Sequence, residues 1–150
     1  MMKAVIVGLF NPKSQDPAYA MEPFTPNGSG ERLWKMLSEV VPVTKQDYVG
    51  HFEMINVIDT DKVTWEDVEY FEARAIEIER RVESRPAAVL GIMAWTSLRV
   101  ERSPIRKTDW FGHYKNWWLL PHPSGLCRVY NDPVMRRRAG EALAKIGGLL

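Results

Sequence analysis

Ala4-Val5-Ile6-Val7, closed by Gly8, is four apolar residues in a row, three of them β-branched. Strict alternation would mark a strand with one wet face. An unbroken apolar run marks a strand covered on both faces, as in parallel sheets. The same signature returns at Phe52 to Ile58 and Ala87 to Ile92, and a fourth run, Trp117 to Leu120, is stopped by Pro121.

The segments between these runs have helical period. Ser29 or Gly30 opens a helix that carries Leu33, Trp34, Leu37 and Val40 on one side and stops before Pro42. Thr64 reads as the N-cap of a second, with Glu66 and Asp67 in its first turn and Val68, Phe71, Ala75, Ile78 and Val82 along one stripe. Ala94 to Val100 forms a short third helix. Asp132-Pro133 supplies an N-cap and an N1 proline for a last one, ended by Gly147-Gly148. Strand and helix alternate, which predicts a three-layer α/β/α domain around a central four-stranded parallel sheet, one domain over residues 1–150. Tyr19 to Gly30 and Glu101 to Asn116 are its long irregular segments, and such segments in a compact domain are usually functional.

Composition narrows the function classes. The chain has 150 residues, 45% hydrophobic and 26% charged, with a net charge of +1, which excludes a disordered tail or a polycation. A lone cysteine, Cys127, excludes a disulfide framework, a four-thiolate cluster and a Cys-rich zinc site, and points to the cytoplasm. The longest uncharged apolar stretch, Pro86 to Leu98, falls short of the roughly 20 residues a membrane span needs. Lys3, the run to Phe10 and Ala18-Tyr19-Ala20 mimic a secretory leader, but Lys13 and Asp16 interrupt it and cleavage would remove the first strand. Neither G-x-G-x-x-G nor a phosphate-loop Gly-Lys-Ser/Thr occurs between Gly8 and Gly30, which disfavours an ordinary nucleotide-binding domain.

Ligands of open parallel sheets bind beyond the carboxyl ends of the strands. Four segments meet there: Gly8 to Phe24, Asn56 to Asp59, Ala94 to Leu98 and His122 to Arg128. The topology thus collects Asn11, Phe24, Asn56 and His122 in one crevice.

His122-Pro123-Ser124-Gly125-Leu126 with Arg128 resembles the second motif of the uracil-DNA glycosylase superfamily, and its Pro-Ser-Gly-Leu core is similar to the mismatch-specific uracil/thymine members. Asn11-Pro12, then Pro23-Phe24-Thr25-Pro26 leading into Arg32-Leu33-Trp34-Lys35, resembles those members' first motif and first helix. Met54-Ile55-Asn56-Val57-Ile58 is similar to the strand carrying the base-reading asparagine of the iron-sulfur branch, although the cluster cysteines are missing. Pro86 to Gly91 is similar to the superfamily's third strand. These motifs keep their order over about residues 3 to 140.

The resemblance implies a DNA glycosylase of base excision repair, a hydrolase that flips a uracil or related damaged or modified pyrimidine and leaves an abasic site. It implies Phe24 as the ring under the base, Asn56 as the reader of its edge, with Phe10 and Ser124 also in the base site. It implies His122, as a neutral imidazole, as the donor to the carbonyl oxygen that gains charge as the bond breaks, and Asn11 as the residue orienting water. Leu126 is the wedge filling the gap in the stack, with Ser29, Arg128, Arg106 and Lys107 on the DNA. No metal or cofactor is implied, and the expected protein is a monomer acting on duplex or single-stranded DNA at the nucleoid.

The first motif departs from the family in two ways. The most active branch has an aspartate where Asn11 stands, and an asparagine cannot accept a proton, so slow turnover follows. One extra residue also separates Gly8 from Asn11; with Gly8 as anchor, Phe10 takes the catalytic position, and Asp16 and Glu22 remain as reserve carboxylates. These departures motivate an alternative, a non-catalytic DNA- or nucleotide-binding protein with the same fold. Each site residue also has an ordinary competitor: Phe24 as core, Asn56 as a satisfied structural amide, His122 as a strand cap. Trp95, Trp110, Trp117 and Trp118 read as core or rim. Arg99, Arg102, Arg106, Lys107, Lys115 and Arg128 border the crevice, against an acid-rich Trp65 to Glu83, and Arg136-Arg137-Arg138 either joins that rim or is a solvated turn.

Overall fold

The computed structural model describes residues 2–10, 21–60, 63–98, 111–123 and 128–150. Strand β1 (Ala4–Gly8) lies inside the sheet, flanked by β2 (Phe52–Asn56) and β3 (Ala87–Leu90), both parallel to it. β5 (Trp117–Leu120) continues the parallel order beside β3. The alternation of β1 confirms that both faces are covered. Ile6 packs into the cluster with Leu33 and Leu37 of α1 (Ser29–Ser38), Tyr48 of α2 (Lys45–His51) and Leu143 of α5 (Pro133–Ile146). Val5 and Val7 pack on the other side with Ile78 and Val82 of α3 (Val68–Val82) and Trp95 of α4 (Ile92–Ser97). The three-layer α/β arrangement is therefore the one that the apolar runs predict.

Among the described residues the sheet has five strands, ordered β2-β1-β3-β5-β4, not four. The additional β4 (Gly112–Tyr114) pairs antiparallel with β5, so the sheet is mixed. Three residues long and partly exposed, β4 has none of the apolar signal that marks the interior strands. The second unanticipated element is α2, seven mostly polar residues opened by a reciprocal capping box. Thr44 Oγ1 accepts from the Asp47 N–H at 3.0 Å, and Asp47 Oδ2 accepts from the Thr44 N–H at 3.0 Å. Such a box contributes about 1 kcal/mol, whereas truncating a core side chain such as Leu33 costs about 2–5 kcal/mol. Burial of the apolar stripes decides the fold, and the caps trim its ends.

Several boundaries move. β3 stops at Leu90, and Ile92 opens α4 rather than ending the strand. β2 stops at Asn56, although the Val57 and Ile58 N–H groups still donate to the carbonyls of Gly8 and Leu9 at 2.9 and 2.8 Å. The N-cap of α3 lies three residues later than expected: Thr64 opens a separate turn, receiving the Asp67 N–H on its carbonyl, and α3 begins at Val68 with Asp67 as N-cap. The last helix starts as its sequence predicts, with the Asp132 carboxylate accepting from the Val134 N–H. Among the described residues no helix is long and apolar enough to cross a membrane.

Candidate functional site

The chain runs from β1 to β2 on one side and then returns to β3 on the other, so the sheet's switch point lies between the carboxyl ends of β1 and β3. Across that edge the order is Asn56, Gly8, Gly91 and the Pro121-His122 exit from β5. Gly8 is in register with Asn56, and the Gly91 N–H donates to the Leu120 carbonyl at 2.7 Å. Asn56 and His122 thus sit at opposite ends of a row three interstrand spacings long, about 14 Å between backbones. The two positions between them are glycines.

Both glycines leave room for a neighbour, and Gly91 is also required by its backbone conformation. A Cβ on Gly8 would stand 2.8 Å from Asn56 Oδ1 and 3.1 Å from Met21 Cε; one on Gly91, which adopts φ +92°, would stand 3.3 Å from His122 Cβ. Each end of the row therefore leans on a glycine. The sequence marks Gly8 as a strand end and a candidate motif anchor but does not reveal the role of Gly91, for which the turn directly after an apolar run is the available signal.

At the first end, Asn56 is buried, yet no donor among the described residues reaches its Oδ1. A buried carbonyl without a hydrogen bond costs about 1–3 kcal/mol, which is unusual for a merely structural amide. Its backbone is held from α3. The buried Arg74 donates through Nη2 to the Asn56 carbonyl at 2.5 Å and through Nε to the Val57 carbonyl at 2.8 Å. Its charge is answered by Glu77 at 2.9 Å and Asp59 at 3.4 Å. Without such partners a buried cation would cost several kcal/mol. Tyr70 completes the brace, its hydroxyl donating to Asp59 Oδ1 at 2.5 Å and accepting from the Asp59 N–H at 2.9 Å. Arg74 was overlooked in the sequence, although its place on the stripe of Phe71, Ala75 and Ile78 marks it as an arginine on a buried face.

At the other end, His122 is half-buried, and that burial lowers the pKa of its imidazole below the ordinary value of 6.5. The ring is consequently neutral at pH 7. The chain before it is fastened by Tyr130, in the 3-10 turn Arg128–Asn131, whose hydroxyl donates to the Pro121 carbonyl at 2.7 Å. Arg136 of α5 in turn donates to the Tyr130 carbonyl at 2.7 Å.

The aromatic residues of the first loop are displayed. Phe10 is 40% and Phe24 50% exposed, which sets aside the core reading of Phe24. Glu22 shapes the turn that carries Phe24. Its Oε2 accepts from the Phe24 N–H at 2.6 Å and the Thr25 N–H at 3.2 Å, and its Oε1 accepts from the Thr25 hydroxyl. Both oxygens are engaged, so Glu22 is a structural carboxylate and not a reserve base. Met21, in the left-handed region at φ 51°, is strained by about 1–3 kcal/mol. The buried Tyr48 hydroxyl donates to its carbonyl at 3.3 Å, and its own side chain is buried against Gly8.

Of the remaining candidates, Ser29 stands at the start of α1, half-buried, and Arg128 is exposed at the start of the 3-10 turn. Asn11, Asp16, Ser124, Leu126, Cys127, Arg99, Arg102, Arg106, Lys107 and Trp110 lie outside the described residues. The arginine triplet is engaged within the protein: Arg136 with Tyr130, Arg137 with Glu141 at 2.9 Å, and Arg138 over the Phe111 ring at 4.2 Å. Trp95 and Trp117 are core, and the half-buried Trp118 is stacked under His113 with ring centres 4.2 Å apart. Among the described residues no group of three or more His, Cys, Asp or Glu could hold a metal ion.

A row with glycines at its centre, a buried acceptor that no described donor reaches at one end and a neutral imidazole at the other suits a planar ring that has polar groups on its rim. Residues 2–144 match the family model of the uracil DNA glycosylase superfamily, and the chain belongs to that superfamily. Its members are in general DNA glycosylases, hydrolases of base excision repair that act on DNA. No curated protein matches the chain.

Proposed function

We propose that this member of the superfamily is a monofunctional DNA glycosylase that flips a uracil, or a related damaged or modified pyrimidine, and hydrolyses its N-glycosidic bond to leave an abasic site. The observation that carries this reading is the buried Oδ1 of Asn56, which no donor among the described residues reaches, at the end of a row closed by the neutral His122. Uracil presents an N–H donor beside a carbonyl, and one amide side chain answers both, its Oδ1 accepting and its NH2 donating. Cytosine lacks that N–H. The ring lies against Phe24, whose exposed face is available for stacking, with Phe10 and Ser124 beside it.

As the bond between C1′ and the base nitrogen breaks, its electron pair passes to the base and spreads to the carbonyl oxygens. A neutral imidazole N–H aimed at one of them stabilises this charge, an effect of about 100- to 1,000-fold in rate for one such donor. Water adds its hydroxyl to C1′, and its proton ends on the departing base. Asn11 orients that water without taking its proton, which makes turnover slow. Leu126 fills the vacated place in the stack, and Arg128, Arg106, Lys107 and Ser29 hold the DNA backbone.

The test is single-turnover base release from duplex and single-stranded oligonucleotides carrying uracil, hydroxymethyluracil, or thymine opposite guanine, with Asn56→Ala and His122→Ala alongside. Release that both substitutions suppress supports the proposal and ranks the substrates. Tight binding to one of them with no alkali-labile product would replace it by a non-catalytic reader of the same base.

A further inference from the structure

We propose that Arg74 is a positioning residue of this site, acting through Asn56; the role rests on the glycosylase reading given above. Among the described residues β2 is an edge strand, paired on one side only, with β1. Edge strands leave backbone groups without a sheet partner. At the carboxyl end of β2 the β1 side is served by the Gly8 and Leu9 carbonyls, which receive the Val57 and Ile58 N–H groups. Arg74 takes the place of the missing neighbour for the carbonyls, one nitrogen on Asn56 and another on Val57.

The guanidinium suits this task because its donors lie in one rigid plane and meet two successive acceptors at once; a lysine ammonium is a point donor. Arg74 is itself immobilised, since it is buried and ion-paired to Glu77 and Asp59, the latter fastened to Tyr70. The consequence concerns Asn56 Oδ1. With no described donor holding that oxygen, its aim is set by the backbone of residue 56 and by the contact with Gly8. Any shift of the backbone is passed undamped to the atom that reads the base. A misplacement of about 1 Å costs about 100-fold in rate.

Arg74→Met, Arg74→Lys, Asn56→Ala and the double variant Arg74→Met/Asn56→Ala would be compared in the full chain by single-turnover release from uracil DNA, with half-saturation concentrations and thermal melting recorded for each. The expected result is a loss of about 100-fold in the maximal rate of Arg74→Met, a half-saturation concentration near that of the wild type, and partial recovery in Arg74→Lys. In the Asn56→Ala background, Arg74→Met should cause no further loss, because the group it aims is gone. A simple structural tie would instead lower melting and add its effect in full to that of Asn56→Ala, which would overturn the proposal, as would a wild-type rate in Arg74→Met. If Arg74→Met does not fold, Arg74→Lys carries the same comparison, alone and with Asn56→Ala. A wild-type protein that releases base, with Asn56→Ala inactive and the Arg74 variants unaffected, defeats the positioning role alone. A wild-type protein that releases none and binds uracil DNA no better than undamaged DNA defeats the glycosylase reading and this role with it.

Discussion

The two ends of the row are built differently. Asn56 is the last residue of a strand, and a buried guanidinium grips its backbone while its own Oδ1 is left without a described partner. His122 follows Pro121 beyond the end of β5, and the chain there is fastened by the phenol of Tyr130, from a 3-10 turn and nine positions after Pro121. A reader of hydrogen-bond pattern must be aimed rigidly, because cytosine presents an acceptor and an amino donor where uracil presents an N–H donor and a carbonyl acceptor. A stabiliser of developing charge has only to face an oxygen in both substrate and product. The difference in construction follows the difference in task.

The sharpest way to break this contrast is to separate discrimination from rate. In the wild type the preference for uracil over cytosine should be about 10,000-fold or more, the range reached when a site hydrogen-bonds its substrate and the analogue leaves a buried group unpaired. Asn56→Ala should bring that preference towards unity, whereas His122→Ala should keep it while lowering the rate about 100- to 1,000-fold. Paired rates on the two bases decide it; equal loss of preference in both variants would erase the distinction.

Next in size is Tyr130→Phe, which removes one hydrogen bond to the Pro121 carbonyl. A typical net value of about 1 kcal/mol corresponds to roughly fivefold, seen in rate with discrimination intact. A drop in discrimination would place the two ends under one control.

The protonation of His122 offers a smaller, thermodynamic handle. Its folded pKa lies below the ordinary 6.5 because burial disfavours the charged ring, so the unfolded chain binds the proton first as pH falls. The corresponding stability is present above pH 6.5 and is lost as pH falls through the folded value. Denaturant unfolding at stepped pH should therefore show the wild type losing stability relative to His122→Ala below pH 6.5. Glu31, held at about 2 chiefly by Lys45, acts only below its ordinary 4.5 and stays clear of this window. Smallest is a control remote from both ends: Thr44→Ala removes the capping box of α2, costing about 1 kcal/mol, or about 3 °C in melting temperature, with base release unchanged.

Legibility in the sequence followed burial. The β1, β2, β3 and β5 cores and α5 could be read because each has a long run or a clear stripe, and their polarity placed Asn56 and His122 on one edge before any coordinates. β4 was not legible, since Gly112-His113-Tyr114 is three residues held by its neighbour β5 rather than by its own apolar pattern. α2 is seven residues whose capping box is the one local signal. Arg74 was present in the pattern, on the apolar stripe of α3, but periodicity shows that a residue is buried and says nothing of which carbonyls it meets.

From the sequence alone came the layered α/β class, the edge on which the site lies and the residue types that meet there, because apolar periodicity and strand polarity are properties of the chain itself. Tertiary structure alone decided that Asn56 Oδ1 is buried without a described partner, that Glu22 is spent on a turn, that Phe24 is displayed and that burial lowers the pKa of His122. Each of these depends on which atoms from distant segments come within a few ångströms. That is fixed by how the helices seat on the sheet, and no local stretch of sequence encodes it.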